Sequence, residues 1–335
     1  MMKALFLTLT NLVSIGKFYV ICKNQKHLLC LADKINREEF QPKSSKQAKC
    51  LKKYISLSKI ISFSLYTGCT LTCGFWSIYP YTEEDGPFLP IAAYVPFNTS
   101  NSRVFGLVYA YEIIATLIGG YTDLSVDALM ASLIIVICAQ LHILNDSLIN
   151  LNQMAKKELE RKRSTWIISS KREDIINQKL IECIEHHRAI IDFADNVTGL
   201  FTMCMFWQFV VSGFVFCATF FEMTMVPVIS VRFFSMVLYQ YCMLLEIFPI
   251  CYFGNEVIVE SDRLTNSAYH SDWINYSFQV RKNLIFFMTR SQRLLKLYAG
   301  GFFTMSLDTF IKILKSSWSF VAVLIQIQNK NENID

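Results

Sequence analysis

Apolar residues along this 335-residue chain gather in long runs, and the charges fall between them. Six apolar stretches stand out, at about 4–22, 55–79, 105–142, 196–221, 227–253 and 299–327. Roughly 20 apolar residues is the length at which a helix crosses the hydrocarbon core of a bilayer. The pattern predicts an all-α, multi-span helical membrane protein forming a single membrane domain over residues 1–335. The third stretch is too long for one crossing at about 1.5 Å per residue, so it either continues as a helix beyond the bilayer or holds a second crossing. Asp123 and Asp127 in its middle argue against two tight apolar crossings and favour one long helix running into the cytoplasm. The first stretch lacks a signal peptide's small-residue cleavage site and is interrupted by Lys17, so it reads as a poor first span.

The connections alternate in charge. Lys and Arg number nine in 23–54, one in 80–104, nine in 143–195, none in 222–226, six in 254–298 and one in 328–335. Positive charge marks the cytoplasmic side, which puts the first, third and fifth connections inside and the C-terminus outside. The N-terminus then also falls outside, with only three residues before the first apolar run. An earlier helix missing from the chain would repair this, giving seven spans with the N-terminus inside. The outside segment 80–104 holds four of the seven prolines and a sequon at Asn98, which suits an extracellular, glycosylated loop. Ile176, Leu180, Ile181, Ile184 and Ile191 recur at helical steps, and residues 278–297 carry an apolar core too short to cross. Segments 143–195 and 254–298 are therefore expected to supply cytoplasmic anchor helices.

Composition sharpens the class. With 53% apolar and 18% charged residues and a mean hydropathy of +0.34, the chain lies beyond the soluble balance of about 45–50% and about 25%. A net charge of +5 without a basic face gives no reason to expect nucleic acid. The eleven cysteines form no CxxC pair and no zinc-finger spacing, so neither a disulfide framework nor a metal is expected.

A search for catalytic chemistry finds little. No phosphate-binding glycine loop, GxSxG or HExxH occurs, so neither an enzyme nor a cofactor is expected. His142 and Asp146 share a helix face at HxxxD spacing without a second acyltransferase element. The adjacent His186 and His187 point about 100° apart on a helix and read as solvated or partner-facing. Gly119-Gly120 and Gly300-Gly301 have unlike flanks, against the repeat of a transporter. Ionisable groups within spans are functional candidates by default; here they are Glu246, Asp308, Lys312 and Lys315. Asp308 and Lys312 stand at i and i+4, where mutual neutralisation and a water-filled pathway both remain open. A ligand-responsive receptor or channel is the class left.

The C-terminal half carries a more specific signal. The run Cys251-Tyr-Phe-Gly254-Asn-Glu256, then Ser261, Ala268-Tyr269 and Trp273, is followed by Ala299-Gly-Gly-Phe-Phe-Thr-Met-Ser-Leu307, Phe310, Leu314-Lys-Ser316 and Trp318-Ser-Phe320. This pattern resembles the insect odorant receptor family, strongly over about residues 240–327 and by layout elsewhere. Ser317-Trp318-Ser319-Phe320 stands where related gustatory receptors carry their own signature, which favours the odorant branch. The inverted orientation read from charge agrees with the resemblance.

The resemblance implies seven spans, of which this chain lacks the first. It further implies an odorant-binding subunit of a ligand-gated, non-selective cation channel, a hetero-oligomer (tetramer) with the odorant co-receptor. Its setting would be the plasma membrane of olfactory sensory neurons, with the C-terminus extracellular. The ligand implied is a small volatile apolar molecule, lined here by Trp76, Tyr109, Ile113 and Tyr239. The last span would line the pore, with Val323, Gln326 and Ile327 at its gate, and Tyr269 and Trp273 would serve the subunit anchor. The alternatives are a gustatory-type chemoreceptor, one coupled to a soluble transducer, or a non-functional truncated receptor. The inverted orientation and the lack of an NPxxY motif in the last span argue against transducer coupling.

Overall fold

A computed structural model of the chain describes residues 2–78, 89, 95–96, 101–161, 168–228 and 230–332. Nine α-helices run through the described residues: α1 (Met2–Lys23), α2 (Gln25–Ile35), α3 (Ser45–Ile78), α4 (Ser102–Ile149), α5 (Leu151–Arg161), α6 (Ile168–Thr224), α7 (Val231–Tyr269), α8 (Phe278–Ser291) and α9 (Leu307–Glu332). Among the described residues, four segments are long and apolar enough to cross a membrane: Ser102–Ile149, Arg172–Thr224, Val231–Tyr269 and Leu307–Ile327. The apolar stretch at 105–142 lies inside the single helix α4, whose 48 residues extend about 72 Å, more than twice the roughly 30 Å hydrocarbon core.

Helix α4 is the axis of the bundle, packed against α1, α3, α6 and α7. Its second half is mostly apolar and is buried over most of its circumference, as a helix packed on several sides must be. Ile137, Cys138, Ala139, Leu141, Leu144 and Leu148 have no exposed surface. The core continues past the end of α4 through Leu151 and Ala155 to Ile176, Leu180, Leu264, Leu284 and Phe287, so α5 and α8 enclose one end of the bundle. At that end His142 and Asp146 do not act together. His142 Nδ1 meets Glu260 Oε1 at 3.2 Å, while Asp146 takes a 2.5 Å hydrogen bond from Lys46. That bond raises Lys46 above the usual lysine range.

Two expectations are corrected here. His186 and His187 are neither solvated nor free for a partner: His186 Nε2 hydrogen-bonds Gln140 Oε1 at 2.9 Å, and His187 is buried edge-on against Phe287. The reason is that α6 is covered on both sides, by the α4 core and by α8. The last apolar stretch does not begin a helix at 299. Tyr298–Ala299 (β1) and Phe303–Thr304 (β2) form a small antiparallel hairpin instead, and α9 starts at Leu307. The turn needs left-handed backbone at two successive residues, and Gly300 and Gly301 supply it at φ +62° and +75°. The Gly300 amide donates to the carbonyl and hydroxyl of Thr202, which pins the hairpin to α6.

Candidate functional site

Parts of α1, α3, α4 and α7 line a half-open cavity of about 300 Å³. Small residues let the helices approach closely around it. The space beside Gly68 is filled by Cys242 Sγ and that beside Gly120 by Cys69 Sγ; a Cβ at either glycine would lie 2.9 Å from the sulfur. The walls mix apolar surface from Trp76, Leu124, Tyr239 and Met243 with the hydroxyls of Thr10, Ser14, Thr72 and Thr116. Several of these hydroxyls are already engaged by their own helices, Thr72 with Gly68 O at 2.9 Å and Thr116 with Glu112 O at 2.7 Å. The wall is thus less polar than its composition suggests.

Three of the four residues expected to line a ligand site meet here. Trp76 and Tyr239 stack with ring centroids 5.7 Å apart, on α3 and α7, and form one wall. Ile113 borders a small adjoining void together with Trp76 and Thr116. Tyr109 stands one turn further along α4, where its hydroxyl donates to Ser77 O at 2.5 Å and ties α4 to the end of α3. It is buried but does not line the cavity.

At the floor of the cavity lies a group of charges that periodicity alone does not join. Lys17 is three residues past the lining Ser14, Asp123 three past Gly120, and Glu246 three past Met243, so each projects one turn deeper than a wall residue. Lys17 Nζ lies 2.8 Å from Asp127, 3.0 Å from Asp123 Oδ1 and 3.2 Å from Glu246 Oε1, and its side chain has no exposed surface. The carboxylate oxygens fall within 4.8 Å of one another, a spacing suited to a cation, and the Lys17 ammonium supplies that cation. The lysine that breaks the first apolar run is therefore the common partner of three carboxylates on two helices, α4 and α7. The available signal is that Asp123, Asp127 and Glu246 all sit in apolar stretches, where a carboxylate demands a counter-charge.

The remaining expected residues lie elsewhere. Asp308 and Lys312 form an exposed ion pair at 2.7 Å on α9, and Lys315 is exposed as well. Val323 and Ile327 are about half exposed on the same helix, with Gln326 exposed beside them. A larger groove of about 940 Å³ runs between α6, the hairpin and α9 and is bordered by Lys312, Ser316, Phe320 and Val323. Tyr269 and Trp273 are neighbours, ring centroids 6.1 Å apart, with Tyr269 exposed. Asn98 lies outside the described residues.

Comparison with known proteins places this architecture. Residues 1–318 match the family model described as 7tm Odorant receptor. Odorant receptor Or1 of Anopheles gambiae is 24% identical over 98% of this chain and 81% of its own length. Odorant receptor 46a, isoform A, of Drosophila melanogaster is 25% identical over 98% and 82%. The fold is similar to that of the olfactory receptor OR5 from Machilis hrabei in complex with eugenol, with a TM-score of 0.80 at 20% identity over 97% of this chain and 81% of that one. The chain belongs to the insect odorant receptor family and is a multi-pass membrane receptor, not an enzyme.

Proposed function

We propose that this receptor is the odorant-binding subunit of a ligand-gated, non-selective cation channel assembled with the odorant co-receptor, in the plasma membrane of olfactory sensory neurons with its C-terminus outside. The observation that carries the ligand site is the cavity walled by the Trp76–Tyr239 stack. Its volume falls at the small end of the range for small-molecule pockets, about 300–1,000 Å³, which suits a volatile ligand held by apolar burial. The test is co-expression with the co-receptor and current recording under an odorant panel. Trp76→Ala removes one face of the stack and is expected to raise the half-maximal concentration of an active odorant about 10- to 100-fold at unchanged surface level, from roughly 1.5–3 kcal/mol of lost burial. An unshifted curve would remove Trp76 from the site. Currents that require GTP and lag by seconds would remove the channel itself.

Helix α9 is proposed to line the pore. Most of it is exposed within the subunit, and its uncovered face passes from Lys312 and Ser316 to Phe320, Val323 and Ile327. An apolar ring at such a face gates by dewetting. Val323→Ala and Ile327→Ala are expected to raise ligand-independent current or change ion selectivity, and the more enclosed Leu324→Ala to do less. Selectivity measured per channel decides, and unchanged selectivity in both variants would take this face out of the pore. The exposed Tyr269 with Trp273 remains the proposed subunit anchor.

A further inference from the structure

Helix α3 carries positive charge that nothing on the helix offsets. Its 34 residues include lysines at 46, 49, 52, 53 and 59 and no aspartate or glutamate. Lysines nearby are paired: Lys34 with Asp192, Lys43 with Glu182, Lys179 with Glu158, and Lys46 of α3 itself with Asp146. Lys49, Lys52, Lys53 and Lys59 are exposed and make no ion pair among the described residues. At 3.6 residues per turn these four fall within about 120° of the helix circumference. The packed side of α3 is the opposite one, where Tyr54 and Ile61 meet the core and Ser58 hydrogen-bonds Ser132 of α4 at 2.7 Å. Further along the outer face Ile60 and Phe63 are exposed, about 10 and 15 Å beyond Lys53. Orientation in the membrane asks for positive residues in this connection. It does not ask for them unpaired, on one face and in line with an apolar stripe.

We propose that this face of α3 binds a polyphosphoinositide of the cytoplasmic leaflet, its phosphates on Lys49, Lys52, Lys53 and Lys59 and its acyl chains along Ile60 and Phe63. A lysine cluster at the cytoplasmic end of a span is the arrangement that recognises anionic lipid. Lys52 and Lys53 stand three and four residues from Lys49, so their side chains start about 5–6 Å from it and reach one headgroup together. Lys59 lies two turns beyond Lys52 and extends back to the same level, its stem along the apolar surface. A headgroup with one net charge, such as phosphatidylserine, leaves most of these ammoniums unmet, and one carrying several phosphates meets them all. Helix α3 packs on α4 and α7, and the proposed pore helix α9 on α6 and α7, so the lipid sits against the outside of the bundle. The choice of leaflet rests on the orientation proposed above, and the binding itself does not.

The test titrates purified receptor in detergent with dioctanoyl phosphatidylinositol bisphosphate, with phosphatidylserine and phosphatidylcholine of the same chain length, and with free inositol trisphosphate. Affinity is read from the rise in thermal unfolding midpoint, since binding to the folded state alone is stabilising. The bisphosphate lipid is expected to act at least 10-fold below phosphatidylserine, and phosphatidylcholine to give no shift. Inositol trisphosphate, which has no chains to lay on Ile60 and Phe63, is expected to bind at least 10-fold more weakly than the lipid. Each lysine near an anionic headgroup gives about a five-fold preference, so Lys52→Gln with Lys53→Gln is expected to weaken the bisphosphate lipid about 25-fold. Lys156→Gln with Lys157→Gln removes the same charge from exposed positions on α5 and is expected to leave the affinity within two-fold. Equal loss in the two double variants reduces the effect to bulk attraction and overturns the site. Equal shifts from the bisphosphate lipid and phosphatidylcholine on the wild-type receptor overturn it even if no variant folds. Inositol trisphosphate as effective as the lipid replaces the lipid with a soluble phosphate and overturns it too. None of these readouts uses odorant-gated current, so failure here leaves the channel reading standing, and failure of that reading leaves this one.

Discussion

Lys17→Met is expected to leave most of the receptor inside the cell, with well under a tenth of wild-type signal in surface biotinylation. Methionine matches the length of the lysine stem, so packing is nearly kept and the change is one of charge. Without the ammonium, Asp123, Asp127 and Glu246 face one another inside the bundle with nothing between them. Removing one partner of a buried ion pair costs about 3–5 kcal/mol, against a total stability of about 5–15 kcal/mol for a typical folded protein. The effect falls on three helices at once, because Lys17 ties α1 to α4 through two aspartates and to α7 through Glu246. Neutralising the partners as well tests the cause. Asp123→Asn, Asp127→Asn and Glu246→Gln added to Lys17→Met should restore part of the surface signal, since a buried ionic group replaced as a whole by neutral side chains is often tolerated. Wild-type surface level for Lys17→Met alone would show that the quartet does not hold the bundle together.

How much of this was legible in the sequence depends on the range over which each feature is encoded. The helical membrane class follows from run length and needs no tertiary knowledge, and the third stretch lies within one helix, α4, whose two mid-helix aspartates are met by Lys17. Charge pairing is different. Lys17 lies 110 residues from Asp127 and 229 from Glu246, and no periodicity links them; in sequence the lysine looks like a flaw in a span. The same holds for His186 and His187, whose burial depends on Phe287 of α8 and Gln140 of α4. The hairpin ahead of α9 was hidden for a local reason: its residues are as apolar as a span, and only the glycine pair marks the turn. Trp76 and Tyr239 were accessible one at a time as aromatics in spans, while their stacking comes from the close α3–α7 approach that Gly68 allows.

Gly254→Ala is expected to be nearly as damaging as the loss of Lys17, although it adds a single methyl group. Gly254 of α7 lies directly against Met305, in the segment that leads from the hairpin into α9. A Cβ at this glycine would stand 2.8 Å from Met305 Cβ and closer still to its carbonyl oxygen. A side chain could swing away, but this obstruction is backbone, and Met305 is itself held by its amide donating to Leu297 O at 2.9 Å. Relief therefore requires α7 and the start of α9 to separate. Overpacking typically costs about 1–3 kcal/mol and occasionally more, and a clash with fixed backbone belongs at the upper end. Helix α7 carries Tyr239 in the cavity wall, Glu246 in the quartet at its floor and Gly254 at the junction with α9, so the loosened contact sits between the ligand site and the proposed pore helix. The expected result is a lowered thermal midpoint together with loss of odorant-gated current in whatever fraction reaches the surface. Gly213→Ala is the control. That glycine also faces α9, from α6, but an added Cβ would meet Ile313 Cγ2 at 3.8 Å and Ser317 Oγ at 4.0 Å, ordinary packing distances. Gly213→Ala should keep both midpoint and current, and if Gly254→Ala matches it in both, the contact with Met305 neither stabilises the fold nor links the cavity to α9.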